Sequence, residues 1–167
     1  DLQVSFLKAS IPNCDIPQDH AFMAILWKEA AKNNIKYILS GHNMATESIL
    51  PSSWGYRPSD LRYLMSIHKT FGSKKLKKYP KLGFLGRHIF FPIIKKIKIE
   101  YPLDYMYYNK NEAIHELEDS IGWKQYGGKH HESIFTRFFQ SYYLPTKYGF
   151  DKRKPHGPHD QSINQKI

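Results

Sequence analysis

Two short segments of the sequence concentrate side chains that can bind or activate a substrate. The first, Gly41-His42-Asn43, places an imidazole and an amide directly after a glycine. Glycine lets a ligand approach the backbone, and the two side chains offer donors and acceptors to an anion, a purine or an amide. Glu47 and Ser48 follow one helical turn later and are candidate substrate-binding residues. A strand-ending turn with a hydrogen-bonded histidine is the alternative interpretation.

The second segment runs from Tyr126 to Ser133 and combines two glycines, a lysine, two histidines and a glutamate. The glycines precede a predicted helix start, whose free N–H groups favour an anion. Lys129 adds a mobile cation, and Glu132 can act as a base or a metal ligand. The spacing of a Walker loop is absent, and adjacent histidines lack the separation of a zinc pair on one helix face, so we predict no metal site. A turn followed by a capped helix is the alternative.

The residues after this segment recur at helical spacing. Their apolar members predict a stripe that faces the core: Ile134, Phe135, Phe138, Phe139, Tyr142 and Tyr143. Arg137 lies on the other face of this predicted helix. Its planar guanidinium can bind a phosphate or a carboxylate through two parallel hydrogen bonds.

The elements around Gly41-His42-Asn43 predict an open α/β sheet. A helix beginning near Pro17 ends at Asn33-Asn34, and the β-prone segment 35–40 then predicts a strand. The width of its apolar face suggests that this helix covers a sheet. Ligands of open α/β sheets bind at the carboxyl ends of strands, which is where His42 stands. The alternation in 97–101 predicts a second strand.

The rest of the chain is predicted to be mostly helical. Ser59 is a candidate cap of a helix that extends to Phe71, and residues 74–86 are predicted to be irregular. Asn109 and Glu112 resemble a capping box at the start of another helix. Residues 132–144 are predicted to be helical again, and residues 157–167 to form a disordered tail.

The chain is basic, with 25 Lys and Arg against 15 Asp and Glu and a formal charge of +10. This balance favours polyanionic partners such as nucleotide phosphates, nucleic acid or an anionic membrane. A single cysteine, Cys14, excludes an intrachain disulfide and fits a reducing cytoplasm. We expect no signal peptide and no transmembrane segment, because the longest apolar stretch, 82–94, is short and interrupted by polar residues. A contact of this stretch with one membrane face stays open.

Several ordered segments together resemble the N-acetyl sugar amidotransferases, a branch of the adenine-nucleotide alpha-hydrolase-like ATP pyrophosphatases. The matching segments are Asp15-Ile-Pro-Gln-Asp-His20-Ala21, Ser40-Gly-His-Asn-Met-Ala-Thr-Glu-Ser-Ile-Leu-Pro51, Ser53-Trp-Gly-Tyr56, Tyr126-Gly-Gly-Lys-His-His-Glu-Ser133, Phe135-Thr-Arg-Phe-Phe-Gln140 and Asp151-Lys-Arg153. The resemblance covers residues 1–156. It implies a partial Rossmann-like (HUP-type) parallel sheet followed by a mostly helical C-terminal part.

The resemblance also implies a reaction. Such enzymes use ATP, with Mg²⁺, to activate the acetamido oxygen of an N-acetyl sugar as an adenylate. Ammonia from a separate glutamine amidotransferase subunit then displaces AMP and leaves an acetamidino group. The implied substrate is an N-acetylated, nucleotide-linked sugar of lipopolysaccharide or O-antigen biosynthesis, in the cytoplasm.

The resemblance suggests three regions and a set of site residues. We expect residues 1–56 to end the nucleotide-binding domain, residues 57–156 to form a helical substrate or partner region, and 157–167 to be the tail. We hypothesise that Gly41, His42 and Asn43 border ATP. The residues assigned to catalysis are Lys129, Glu132 and Arg137, and those assigned to substrate binding are Glu47, Ser48 and His130.

One departure from the family bears on activity. The phosphate-binding loop of the form Ser-Gly-Gly-x-Asp-Ser is not in the sequence, and we expect it upstream of Asp1. Because that loop supplies donors to the developing phosphate charge, we expect this chain alone to be inactive. Two rival functions stay open: a tRNA-modifying ATP pyrophosphatase, and a non-catalytic basic module that binds nucleic acid or a membrane.

Overall fold

The computed structural model describes residues 1–42, 58–124 and 133–149. These residues divide into two compact units. The first comprises 1–40 and 58–100, and the second comprises 41–42, 101–124 and 133–149. Both units combine segments that are distant in the sequence, and the three predicted regions stay a prediction.

The first unit contains four helices and two strands. They are α1 (Leu2–Lys8), α2 (Ile16–Lys32), β1 (Tyr37–Leu39), α3 (Leu61–Phe71), the π-helix π1 (Gly86–Ile94) and β2 (Lys98–Glu100). Pro17 stands in the first turn of α2, as predicted. The cap of α3 is Asp60 rather than Ser59, because the Asp60 carboxylate accepts a hydrogen bond from the Tyr63 N–H at 3.0 Å.

The two predicted strands exist and pair with each other. β1 and β2 run parallel, with Tyr37 opposite Lys98 and Leu39 opposite Glu100. Ile38 is buried between exposed neighbours. The pair shows a parallel sheet of two strands in the described chain, and the larger Rossmann-like sheet stays a prediction.

Helix α2 packs against this strand pair through small and aromatic residues. The shared core consists of Ala24, Trp27, Ala30, Ile38, Leu82, Phe91 and Ile97. The Trp27 and Phe91 rings lie 5.6 Å apart between centroids. Because π1 supplies Phe91, the same core fixes α2, the sheet and π1 together. A second core joins α1 to α3 through Leu2, Phe6, Ile16 and Leu64.

The apolar stretch 82–94 forms mostly helix π1. Its wide turn is visible in the hydrogen bond from the Lys95 N–H to the Phe90 carbonyl, five residues back, at 2.9 Å. Phe91 points into the core, whereas Ile93 and Ile94 are exposed. Within the described chain, no helix is long and apolar enough to cross a membrane.

The second unit contains short helices. They are a 3₁₀ turn (Pro102–Asp104), α4 (Lys110–Ile121), α5 (Ile134–Phe138), the π-helix π2 (Phe139–Tyr143) and α6 (Leu144–Tyr148). Asn109 caps α4 as predicted, since its side chain accepts from the N–H groups of Asn111 and Glu112. The Asn109 amide also donates to the Glu112 carboxylate at 3.2 Å.

The predicted core-facing stripe of this unit is largely wrong. Of its members, Phe139 is buried, but four others are exposed: Ile134, Phe135, Phe138 and Tyr142. The helical spacing is real, because the rings of Phe135 and Phe139 stack at 5.9 Å and those of Phe139 and Tyr143 at 5.0 Å. The side chains therefore contact each other along the helix, although most of them do not enter a core.

We expect Phe91→Ala to destabilise the first unit by about 3–5 kcal/mol, because it empties the centre of a shared core. Ile93→Ala is the matched control: Ile93 lies two residues away and is exposed, so its loss should change stability by about 0.5 kcal/mol or less. Urea denaturation followed by circular dichroism measures both. Equal losses in the two variants would show that π1 does not have the described orientation.

Candidate functional site

His20 connects three segments of the first unit. Its ring is buried in α2, and its Nδ1 lies 2.9 Å from the Pro58 carbonyl. The Leu82 N–H donates to Nε2 at 3.1 Å. Because Nε2 accepts this bond, the proton of the neutral ring lies on Nδ1, which donates to Pro58. The residue belongs to one of the segments on which the family resemblance rests, and here it holds two distant loops.

The surroundings keep His20 neutral. Burial lowers its pKa below the ordinary value of 6.5, the Pro58 hydrogen bond opposes this in part, and the positive charges of Arg87 and Lys28 lower it further. Tyr79 stacks on the ring at 6.1 Å between centroids, and its hydroxyl donates to the Pro17 carbonyl at 2.6 Å. Burial, with a contribution from Asp19, raises the pKa of Tyr79 to about 12.

The two loops held by His20 lead directly into the walls of a cavity of about 730 Å³. Pro58 precedes one wall and Leu82 precedes the other. Eight residues line the cavity: Ser59, Asp60, Leu61 and Arg62 on the first wall, and Gly83, Phe84, Arg87 and His88 on the second. The separation of the walls therefore depends on one buried imidazole.

Positive charge and an aromatic ring dominate this cavity. Within the three described ranges, no carboxylate forms an ion pair with Arg62 or Arg87. The carboxylate of Asp60 is occupied by the cap of α3. Phe84 and His88 lie 4.6 Å apart between ring centroids. Two guanidinium groups that have no ion-pair partner among the described residues lie beside exposed rings, and they suit an anionic ligand that also carries a flat or apolar group.

Gly41 and His42, predicted to border a nucleotide, follow β1 in the chain and belong to the second unit. The His42 ring meets the edge of Tyr101, the residue that follows β2, with centroids 5.9 Å apart. A Cβ added to Gly41 would find no atom within 4 Å. Packing within the described chain thus does not require glycine at this position. Among the described residues, no side chain covers the Gly41 backbone, so a ligand can approach it.

The remaining predicted site residues are only partly covered by the structure. Asn43, Glu47 and Ser48 lie outside the described residues, as do Lys129, His130 and Glu132. Arg137 stands in the last turn of α5 with an exposed side chain, and no hydrogen bond or ion pair in the described chain joins it to His42. The helix that carries it is capped by Ser133, whose hydroxyl accepts a hydrogen bond from the Thr136 N–H at 3.2 Å.

Sequence reasoning missed the cavity between Arg62 and Arg87. Each arginine belongs to a wall that is local in sequence, but the two walls are brought together by contacts between distant segments, among them the two hydrogen bonds of His20. A weak signal was present, because Gly83 and Gly86 flank an aromatic residue shortly before Arg87. In the described ranges, no group of three or more His, Cys, Asp or Glu side chains that could hold a metal ion was found.

Comparison with known families finds one match, at the end of the chain. Residues 132–158 match the family model described as LPS biosynthesis protein WbpG-like, C-terminal domain. The matched range includes Glu132 and Arg137 and supports a relation to WbpG-like enzymes of lipopolysaccharide biosynthesis. No curated protein and no solved structure matches the chain.

We expect the first unit to lose stability as the pH falls below about 6.5. The folded chain holds His20 neutral, so the unfolded chain binds more protons in this range, and the stabilisation is complete only above the unfolded pKa. In His20→Gln, the free energy of unfolding at neutral pH should be lower than in the unchanged chain by about 1–3 kcal/mol. The further decrease of this free energy on acidification should be smaller than in the unchanged chain. Thermal unfolding at pH 7.5 and 5.5 measures both effects.

His88→Gln is the control for this experiment, because His88 belongs to the same unit but is exposed. It should retain the pH dependence of the unchanged chain. A pH profile that is the same in all three proteins would contradict the role assigned to His20.

Proposed function

We propose that the chain is part of an ATP-dependent amidotransferase that converts an acetamido group of an N-acetyl sugar into an acetamidino group in surface polysaccharide biosynthesis. The observation that carries the proposal is the WbpG-like match over 132–158, which connects the chain to lipopolysaccharide biosynthesis. The resemblance of the ordered segments to N-acetyl sugar amidotransferases supplies the reaction. The cationic cavity supplies a site for the anionic part of the substrate.

The proposed reaction consists of two steps. In the first, the acetamido oxygen attacks the α-phosphate of ATP, and the bond to the pyrophosphate leaving group breaks. In the second, ammonia attacks the activated carbon, the C–O bond to AMP breaks, and a C–N bond remains. The ammonia comes from a separate glutaminase subunit.

The first unit offers a place for the diphosphate of a nucleotide-linked sugar. Arg62 and Arg87 supply planar guanidinium groups, which bind phosphate oxygens through paired hydrogen bonds. Phe84 provides a ring face that can pack on a base or a sugar. The cavity of about 730 Å³ lies within the range of small-molecule sites.

ATP is assigned to the residues after β1. Gly41 leaves the backbone open, and His42 presents an exposed ring beside Tyr101. When bound, ATP supplies the adenylyl group that activates the acetamido oxygen. Gly41 and His42 would border it, whereas Asn43 lies outside the described residues. Mg²⁺ remains an expectation from the resemblance, and no residue is assigned to it.

We expect Arg87→Ala to weaken the binding of a UDP-linked N-acetylhexosamine by the full-length protein by about tenfold to a hundredfold, as expected for the loss of charge-assisted hydrogen bonds. Arg62→Ala should have a similar effect. Lys8→Ala, a change in α1 away from the cavity walls, is the control for the general loss of positive charge. Isothermal titration measures the dissociation constants of the three variants and of the unchanged protein. Equal affinity in the Arg87→Ala variant and the unchanged protein would remove the sugar nucleotide from this cavity.

We expect Gly41→Ala to leave thermal stability unchanged, because the added Cβ meets open space. The same methyl group should raise the dissociation constant of ATP in the full-length protein, since it blocks close approach to the backbone. Equilibrium binding of a fluorescent ATP analogue and a thermal melt separate the two effects. An unchanged ATP affinity would exclude Gly41 from the nucleotide site.

A further inference from the structure

Helix π1 presents apolar side chains on the side that faces away from its core. Phe84 and Leu85, just before the helix, are 70% and 68% exposed, and Ile93 and Ile94 at its end are 64% and 62% exposed. Ile89 and Phe90 between them are also exposed. These six residues form what we call the apolar face. A surface helix normally turns polar residues to solvent, so an apolar face of this kind, exposed in the described part of the chain, marks a candidate interaction surface.

The apolar face lies in the most basic part of the chain. Residues 61–99 contain 11 Lys and Arg and no Asp or Glu, so the charged side chains of the segment that carries the face have one sign. Lys81 precedes the face, and Lys95, Lys96 and Lys98 follow it directly. The Lys95 ammonium lies 5.7 Å from the centroid of the Phe90 ring, which places a cation beside the apolar side chains.

We infer that the apolar face docks on an anionic membrane surface. The aliphatic side chains enter the boundary of the acyl chains, while the lysines contact lipid phosphates. The helix cannot cross the membrane, because the apolar stretch is far shorter than the roughly 20 residues that a transmembrane helix needs. It lies in the plane of the interface instead.

Charge and side-chain type together favour a membrane over other partners. A single-stranded nucleic acid would use the lysines, but its bases stack on aromatic rings and leave Leu85, Ile89, Ile93 and Ile94 without a role. A protein partner would need an apolar surface surrounded by acidic side chains. An anionic bilayer offers both a hydrocarbon layer and a uniform negative charge, which match the two properties of the face.

The backbone is suited to this role because π1 is anchored from the opposite side. Phe91 is buried in the core shared with α2, and Ile97 follows in the same core. The side chains of the apolar face therefore project from a fixed helix. The test of the inference is separate from the proposed amidotransferase reaction, since it uses no substrate or cofactor and no substitution at Phe84, the one residue that also lines the cavity.

The test is sedimentation of the 167-residue chain with lipid vesicles. We expect the chain to sediment with vesicles rich in phosphatidylglycerol and to remain in solution with vesicles of phosphatidylcholine alone. Raising the salt concentration should weaken the binding, because the lysines contribute through screened charges. The double variant Ile93→Glu/Ile94→Glu should bind the anionic vesicles at least about tenfold more weakly.

Two further variants make the test specific. Lys95→Gln/Lys96→Gln should weaken binding to anionic vesicles by about tenfold and should flatten its salt dependence, without adding charge to the apolar face. Phe22→Glu is the matched control, because Phe22 on α2 is 65% exposed in the same unit but lies outside the apolar face. It should bind as the unchanged chain does, and circular dichroism shows that each variant is folded.

Three outcomes would overturn the inference. The first is an unchanged chain that does not sediment with anionic vesicles, including the case in which it binds RNA instead. The second is an equal loss of binding in Phe22→Glu and in the two double variants. The third is vesicle binding by this chain but not by the full-length protein, which would show that another protein segment covers the face. If the glutamate variants fail to fold, the glutamine pair decides the question alone.

Discussion

One buried imidazole determines the arrangement of the first unit. His20 accepts a hydrogen bond from Leu82 and donates one to Pro58, and these partners lie 62 and 38 residues away in the sequence. Neutrality is essential for this double role, because a protonated ring has no acceptor left for the Leu82 N–H. Burial and nearby positive charges lower the pKa of His20 and favour the neutral ring, and they outweigh the Pro58 hydrogen bond, which acts in the opposite direction.

The functional features of the first unit depend on these two hydrogen bonds of His20. The loop that begins after Leu82 supplies one wall of the cationic cavity and then continues into π1. Three roles therefore meet in one short segment: Phe91 enters the core, Arg87 lines the cavity, and the apolar face turns outward. The wide turn of π1 spreads these side chains over distinct directions. A substitution that alters one of these three groups of side chains must therefore leave the positions of the other two groups unchanged.

The positively charged side chains of the first unit fall into two groups with different surroundings. Arg62 and Arg87 are held on fixed walls and face a concave site, which suits a small anion bound through defined geometry. Of the lysines around the apolar face, Lys81, Lys96 and Lys98 are exposed, and an ammonium at the end of an aliphatic side chain suits a surface of diffuse negative charge. In the function proposed above, the cavity would hold the phosphates of a substrate, and in the further inference the lysines contact lipid phosphates.

The sequence by itself determined the local elements. Asn109 and Glu112 identified the cap of α4, Pro17 marked the first turn of α2, and the β-prone segments gave the positions of β1 and β2. These features depend on neighbours within a few residues, so their energies are visible in a local pattern. The sequence also placed Gly41 and His42 directly after a strand.

Only the tertiary structure decided which apolar residues are buried and which charges converge. Helical spacing in 134–143 predicted a core, yet most of that stripe is exposed, because burial requires a partner surface that periodicity does not specify. The stretch 82–94 is mostly apolar, and only the position of α2 and the strands turns Phe91 inward and Ile93 outward. The cavity depends on contacts across 38 and 62 residues through His20, and no local pattern contains that information.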